Sequence, residues 1–210
     1  LQQTNAAKED RRTGVRLDGG AGFAFLVLVM TSIGPVVSQS LVLDGGGTHA
    51  MTHEWEGIWV AVVPITEVTD YRLDVTYEGT GTTRVDEPYR HLPTLGAMDL
   101  HLISEGRHEQ LWDVLGAHVH NFDGPMGASK GTSFAVWAPN AQSVRVIGDF
   151  NHWVGRGHGM RSLGSSGIWE LFLPGVGVGA RYKFEILGKD GARGEARHRL
   201  AATITDEAPP

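Results

Sequence analysis

Two short patterns have the form of catalytic or cofactor motifs, and each lacks the setting its chemistry needs. Gly127-Ala128-Ser129-Lys130-Gly131 has the spacing of a hydrolase nucleophile elbow. That chemistry requires the serine on a sharp turn between a strand and a helix. Here a strand pattern, 133–137, follows, so the segment reads as a turn. Gly175-Val176-Gly177-Val178-Gly179-Ala180 fits a loose dinucleotide fingerprint. A strand pattern at 182–187 stands where a helix N-terminus should receive the pyrophosphate, so a hairpin loop is expected. His118 with His120, His101 with His108, and His152 with His158 each offer two metal ligands, an incomplete set. With no cysteine in the chain, disulfides, thiolate metal sites and cysteine nucleophiles are excluded, and a cytoplasmic setting is favoured. No metal and no cofactor are expected.

The elements that must position any remaining site belong to a globular chain. A length of 210 residues allows one large or two small domains. The chain is 41% hydrophobic and 20% charged, and its 29 glycines show no triplet period, which implies many tight turns. A net charge of -6 provides no basic surface to neutralise phosphates, so no nucleic-acid partner is expected. Residues 21–30 are a nearly unbroken apolar run preceded by Arg11, Arg12 and Arg16, as in a signal or anchor. Polar residues from Thr31 onward break the run well short of the ~20 needed to span a bilayer. A buried strand is the expectation, with no membrane partner.

An internal repeat organises the rest. Gly57-Ile58-Trp59 followed by Pro64 recurs as Gly167-Ile168-Trp169 followed by Pro174, both at an offset of 110. Tyr71-Arg72-Leu73 matches Tyr182-Lys183-Phe184, and His49-Ala50-Met51 matches His158-Gly159-Met160. Gln39-Ser40-Leu41-Val42-Leu43 aligns with Gln142-Ser143-Val144-Arg145-Val146. A period near a hundred residues is domain-sized, so two related domains are expected. Trp169, Leu171 and Leu173 alternate with Glu170 and Phe172, and Tyr182, Phe184 and Ile186 with Lys183 and Glu185, the pattern of half-buried strands. Short strands bounded by Gly, Pro, Asp and Asn predict an all-β fold of two tandem immunoglobulin-like sandwiches. Ser104-Glu105 is placed to cap a helix carrying Leu111, Trp112, Val114 and Leu115 and stopped by Gly116, a short helical connector. Trp59, Trp137 and Trp169, on alternating strands, are expected in the core.

Further residues carry a resemblance. Asp86-Glu87-Pro88-Tyr89-Arg90, Leu92-Pro93-Thr94-Leu95-Gly96, Asp99-Leu100-His101-Leu102, Glu105-Gly106-Arg107-His108-Glu109 and Leu111-Trp112 through Leu115-Gly116-Ala117-His118 closely resemble the inter-domain segment of bacterial, actinobacterial-type glycogen branching enzymes. Ser133-Phe134-Ala135-Val136-Trp137-Ala138-Pro139-Asn140-Ala141 and Gly148-Asp149-Phe150-Asn151 with Trp153 resemble their glycogen-binding family 48 module, the isoamylase N-terminal domain. The resemblance covers about 41–191. It implies residues 1–38 as a leader or poorly matched first strands, 39–85 as a first sandwich domain, 86–122 as connector, 123–191 as the glycogen-binding sandwich and 192–210 as an unmatched tail.

The same resemblance implies a partner, glycogen or α-1,4-glucan, and a parent reaction that transfers a glucan segment to a glucose 6-hydroxyl through an aspartate nucleophile and a glutamate acid/base. Those carboxylates belong to a (β/α)₈ barrel of roughly 250 residues, which is absent here, so the chain alone is expected to be inactive, its own barrel being its partner in the full-length enzyme. No acidic pair has a context suggesting the roughly 5–5.5 Å spacing of a retaining site. Carried over residue by residue, the sugar contacts are Trp153, whose indole can lie on the apolar face of a glucose ring, and Lys183, which can hydrogen-bond hydroxyls. The alternative roles are edge packing for Trp153 and a solvated strand lysine for Lys183. A second aromatic expected after Asp190-Gly191 is replaced by Ala192-Arg193. A stand-alone, non-catalytic glucan-binding adaptor is the other function class, and a secreted sandwich protein unrelated to glucan a third.

Overall fold

The structure, a computed structural model, describes residues 15–17, 24–29, 36–55, 58–63, 69–188, 193–195 and 202–205. Gly57, Pro64 and the Asp190 to Ala192 stretch, all used in the repeat or the sugar-site reasoning, lie outside the described residues, as do most of 1–35 and most of the tail. Every strand pairing is antiparallel among the described residues, and one α-helix, α1 (Ala97–Ser104), occurs among them. The fold is all-β, as the alternation predicts. The chain divides into two units, residues 1–90 with 123–128, and 91–122 with 129–210.

The first unit has two four-stranded sheets. One runs β1 (Val15–Leu17), β2 (Ala24–Val29), β6 (Ile58–Val63), β5 (Thr52–Trp55); the other runs β4 (Gly47–Ala50), β3 (Val36–Leu43), β7 (Tyr71–Tyr77), β8 (Gly81–Val85). Leu41, Leu43, Tyr71, Leu73 and Val75 of the second sheet share one buried cluster with Trp59, Ala61 and Val63 of the first. Alternation explains this: in β3 from Gln39 onward and in β7 the odd-numbered residues face inward, and a register shift between Val36 and Ser38 leaves Val37 exposed. The apolar run at 21–30 supplies β2, which lies between β1 and β6.

Below that cluster sits an ionic network. Asp70 accepts from the Tyr71 amide at 2.9 Å and from the Arg90 guanidinium, while Arg90 Nε donates to Asp86 at 2.7 Å. Arg72 lies 3.8 Å from Asp70 and 3.7 Å from Asp86, and donates to the Gly127 carbonyl at 3.0 Å. Tyr71 donates its hydroxyl proton to the buried Glu87 at 2.8 Å. The Asp86-Glu87-Pro88-Tyr89-Arg90 string thus anchors the segment leaving β8 onto the start of β7.

The second unit repeats the plan. β9 (Gly116–Phe122), β10 (Ser129–Trp137), β13 (Ile168–Pro174) and β12 (Arg161–Ser162) form one sheet in the order of β1, β2, β6 and β5. β11 (Ala141–Gly148), β14 (Arg181–Gly188) and β15 (Arg193–Glu195) form the other in the order of β3, β7 and β8, with β16 (Ala202–Thr203) also on β14. Where β4 stands in the first unit, a single Arg145–Gly159 bridge stands here. Phe134 packs edge-on against Tyr182 with ring centroids 5.0 Å apart, joining the two sheets.

Three expectations are corrected. The α-helix ends at Ser104 instead of starting there: Gly96 precedes its first turn, the Gly96 amide donating to Asp99 at 3.1 Å, and Leu111–Asp113 form only a 3₁₀ turn. The segment read as a connector contributes β9, whose register on β10 runs from Phe122↔Ser129 to Gly116↔Ala135. Leu95, Leu100, Ile103, Val114 and Leu115 of that segment cover the outer face of β10 and β13 at Ala135 and Ile168. Finally, Gly175 to Ala180 is not a hairpin loop, since β13 and β14 lie in different sheets.

That covering explains Glu170. It sits on the outer face of β13 opposite Ala135, is 1% exposed, and accepts from the Thr94 amide at 2.7 Å and from the Thr94 hydroxyl. Its second oxygen, Oε2, is buried without a hydrogen-bond partner. Burial pushes its carboxyl up from the ordinary range, opposed by the Thr94 bonds and by Arg161.

Candidate functional site

The turn after β11 shows how the Gly148-Asp149-Phe150-Asn151 string works. A Cβ on Gly148 would fall 2.3 Å from the Arg181 carbonyl oxygen and 2.6 Å from the Phe150 ring, so only glycine lets β14 and the turn approach this closely. Asn151 is buried; its Oδ1 accepts the Gly148 amide at 2.8 Å and its Nδ2 donates to the Val146 carbonyl at 3.0 Å. The same amide lies 3.0 Å from Nδ1 of His158, which accepts. Burial lowers the His158 pKa, consistent with a neutral ring.

Those bonds hold two residues in left-handed backbone conformations, His152 at φ 53° and Trp153 at φ 62°. Such conformations are uncommon for residues with a Cβ and persist where the surroundings fix them. The Trp153 amide donates to the Gly148 carbonyl at 2.9 Å, and its side chain is 36% exposed. The loop then returns along the edge of β11: the Val146 amide donates to the His158 carbonyl at 3.1 Å and the Met160 amide to the Val144 carbonyl at 2.8 Å, while Gly155 lies against the outward side of β11. A Cβ on Gly155 would sit 2.9 Å from both Arg145 Cβ and Ile147 Cγ2.

Lys183 is half-buried on β14, directly opposite Ile147. Residues opposite each other across a ladder point to the same face, so Lys183 shares the outward side of Ile147 that Gly155 lies against. One step along the ladder, Gly148 pairs with Tyr182, and Gly148 is the residue that holds the Trp153 amide. Asp149 fastens the next position: its carboxylate accepts from the Arg181 amide at 3.0 Å, from Nε at 3.1 Å and from the terminal nitrogen at 3.0 Å. The Arg181 side-chain bonds, then its amide, hold the Asp149 carboxyl below the usual range. Lys183 thus lies on the face of the ladder that Gly155 of the Trp153 loop also meets, one ladder step from Gly148, whose carbonyl holds the Trp153 amide.

Asn151, His158 and Gly148 were missed as determinants of this site. The signal was present, since an asparagine three residues after a glycine at a strand end is a turn-former. Trp59 is buried and Trp169 half-buried, its indole N–H donating to the Ala138 carbonyl at 3.1 Å. Trp137, expected in the core, is 58% exposed. Phe134 and Val136 take the inward positions on β10, so alternation turns Trp137 outward.

Residues 114–203 match the model of carbohydrate-binding module 48, the isoamylase N-terminal domain. The second unit, an all-β assembly of two antiparallel sheets, is thus similar to a carbohydrate-binding module over these residues. Over longer stretches the chain corresponds to the N-terminal part of glycogen branching enzymes. It is 58% identical over 142 residues to the 1,4-alpha-glucan branching enzyme of Thermobifida fusca, covering 68% of this chain and 19% of that protein. It is 51% identical over 182 residues to that of Rhodococcus jostii, covering 87% and 25%. Against that of Frankia casuarinae the figures are 58% over 164 residues, 78% and 20%. The chain thus spans between a fifth and a quarter of the length of these relatives. A pullulanase from Anoxybacillus is similar at 15% identity with a TM-score of 0.31, over 87% of this chain and 25% of that one.

Proposed function

We propose that the outer face of the β11–β14 ladder binds α-1,4-glucan, with the Trp153 indole stacked on a glucose ring and Lys183 donating to its hydroxyls. The chain then serves as the glucan-binding N-terminal portion of a 1,4-α-glucan branching enzyme, whose whole reaction moves an α-1,4-linked segment to a glucose 6-hydroxyl. The observation that carries this reading is an indole kept partly exposed on a left-handed turn that four hydrogen bonds of Asn151 and Gly148 over-determine. A merely edge-packing tryptophan needs no such fixed presentation. Pre-organisation of this kind lowers the ordering cost of binding.

Glycogen and soluble α-1,4-glucans are the partners in this reading, the module extends over 114–203, and the setting is cytoplasmic. Among the described residues no helix is long and apolar enough to cross a membrane. This chain alone forms no α-1,6 branches, because the nucleophile and acid/base belong to another domain. An iodine-stain assay on amylose with linkage analysis checks that point.

The binding test is affinity electrophoresis in glycogen-containing gels for the full chain, Trp153→Ala and Lys183→Ala, with circular dichroism as fold control. One stacked ring contributes about 0.5–1.5 kcal/mol beyond its area burial, so Trp153→Ala is expected to weaken binding about threefold to tenfold. A hydrogen bond to a neutral hydroxyl contributes about 0.5–1.5 kcal/mol net, and Lys183→Ala is expected at the low end. Retardation of a folded Trp153→Ala protein equal to that of the parent would defeat the assignment.

A further inference from the structure

A second indole faces away from the first. Trp137 ends β10, and Phe134, three residues back, reaches Tyr182 of the other sheet at 5.0 Å. By alternation Trp137 lies on the outward face of the β12-β13-β10-β9 sheet. Around it that face is covered: Ile168, its cross-strand partner, is 0% exposed, and Ala135, two residues back on the same face, is buried. At Trp137 the cover stops.

The backbone that follows the ring is fixed by hydrogen bonds. The Ala138 amide donates to the Gly167 carbonyl at 2.8 Å, the Ala141 amide to Ala138 at 3.1 Å, and the Trp169 indole N–H to the Ala138 carbonyl at 3.1 Å. Gly167 has φ 76°, and a Cβ there would fall 2.8 Å from Pro139 Cβ and 3.2 Å from Trp137 Nε1. The edge of the indole therefore lies over a bare glycine, an approach any side chain would obstruct.

The segments that carry and adjoin the ring are uncharged. Neither 131–144 nor 162–169 contains an Asp, Glu, Lys or Arg. The exposed polar groups are the amides of Asn140 and Gln142 and the hydroxyls of Ser162 and Ser165. A flat indole on segments whose exposed polar groups are amides and hydroxyls without charge matches a neutral polyhydroxylated ligand, whose rings have an apolar face and hydroxyl edges. Trp112, 49% exposed, offers the contrast, since Glu109 and Asp113 flank it.

We propose that Trp137 is a second stacking platform for α-1,4-glucan, on the sheet opposite the Trp153 loop. This rests on the glucan reading of the preceding section. Because the platforms lie on opposite faces of one unit, a short oligosaccharide occupies them independently, whereas branched glycogen engages both with different chains and gains avidity.

The test follows the indole N–H resonances of the full chain during titration with maltoheptaose, in the parent protein and in Trp153→Ala, together with glycogen-gel retardation of Trp137→Ala and Trp112→Ala. The Trp137 resonance is expected to shift saturably in both proteins. Trp137→Ala should weaken glycogen retention about threefold to tenfold, and Trp112→Ala should leave it unchanged. If the Trp153 resonance moves and that of Trp137 stays still, the second platform is wrong while the glucan reading stands. If no indole moves and glycogen does not retard the parent protein, both fall. Equal weakening by Trp112→Ala would mark the effect as unspecific and also overturn the proposal. The resonance shift is read on the parent protein, so it decides even if Trp137→Ala fails to fold.

Discussion

The side-chain amide of Asn151 donates to Nδ1 of His158 at 3.0 Å, and so joins the two ends of the loop that carries Trp153. The bond needs Nδ1 as an acceptor, and therefore an imidazole protonated only on Nε2. A histidine whose folded pKa lies below its ordinary 6.5 contributes stability that is full above 6.5 and lost as pH falls through the lowered value. Glycogen retention is accordingly expected to hold at neutral pH and to fall as the solution is acidified through the lowered folded value, where the protonated ring releases Asn151. His158→Gln, whose amide oxygen can still accept, should flatten that profile in the same gels. A profile for His158→Gln identical to the parent's would show that another group titrates.

Gly148 sets the distance between the turn and β14. Replacing it with alanine forces a Cβ to within 2.3 Å of the Arg181 carbonyl oxygen, an overpacked contact expected to cost about 1–3 kcal/mol. Gly177→Ala is the matched control, because a Cβ there meets nothing within 4 Å. It should stay within about 0.5 kcal/mol. Urea denaturation of the two variants gives the comparison.

The buried carboxyl of Glu170 sets a different pH dependence. Its folded pKa is raised above the ordinary 4.5, so the stability it contributes is present below 4.5 and lost as pH rises through the raised value. As pH rises above 4.5 the parent protein should progressively lose stability that Glu170→Gln does not lose. The glutamine still accepts from Thr94, so the difference between the two stability–pH slopes reads the charge alone. Parallel slopes would refute it.

Asp70 faces two arginines, Arg72 and Arg90, whose side chains are each only 7% exposed. Asp70→Asn keeps the shape and removes the charge. Leaving a buried cation without a counter-ion typically costs about 3–5 kcal/mol; with Asp86 still beside both arginines, a loss of stability below that is expected in urea denaturation. Arg84→Ala on the exposed Asp74 pair should be nearly silent, as exposed pairs usually are.

Strand alternation made most of the fold legible. Leu171 and Leu173 read as sharing one face of a strand, and both are buried, because a half-buried strand has a period of two. The repeat was read with one slip. Leu41 pairs with Leu73 and Val146 with Phe184, so Leu41 corresponds to Val146 and not to Val144. A shift of two residues leaves every side chain on its own face, and hydrophobicity alone does not detect it. Trp137 misled because an indole at a strand end reads as core until one knows where the covering segment stops. The helix was misplaced because Leu111 and Trp112 are apolar yet exposed, while the helix itself, Ala97–Ser104, buries no residue fully and so has no strong apolar stripe. Of the candidate site, Trp153 and Lys183 came from resemblance. The hydrogen bonds that aim the indole depend on which side chains meet across the turn, which spacing alone does not reveal.

Residues 123–128 belong to the first unit although β9 of the second unit precedes them. Arg72 donates to the Gly127 carbonyl, 55 residues onward, and Asp70 accepts from the Met126 amide at 3.4 Å. During synthesis, therefore, the first unit does not complete its ion network when its last strand, β8, leaves the ribosome. It waits for roughly forty more residues, a few seconds at ordinary elongation rates of about 5–20 residues per second. In that interval Arg72 and Asp70 lack their last two partners, and β9 has already emerged without β10 to pair with. The two units are consequently interleaved in time as well as in sequence, and neither is finished before the other has begun.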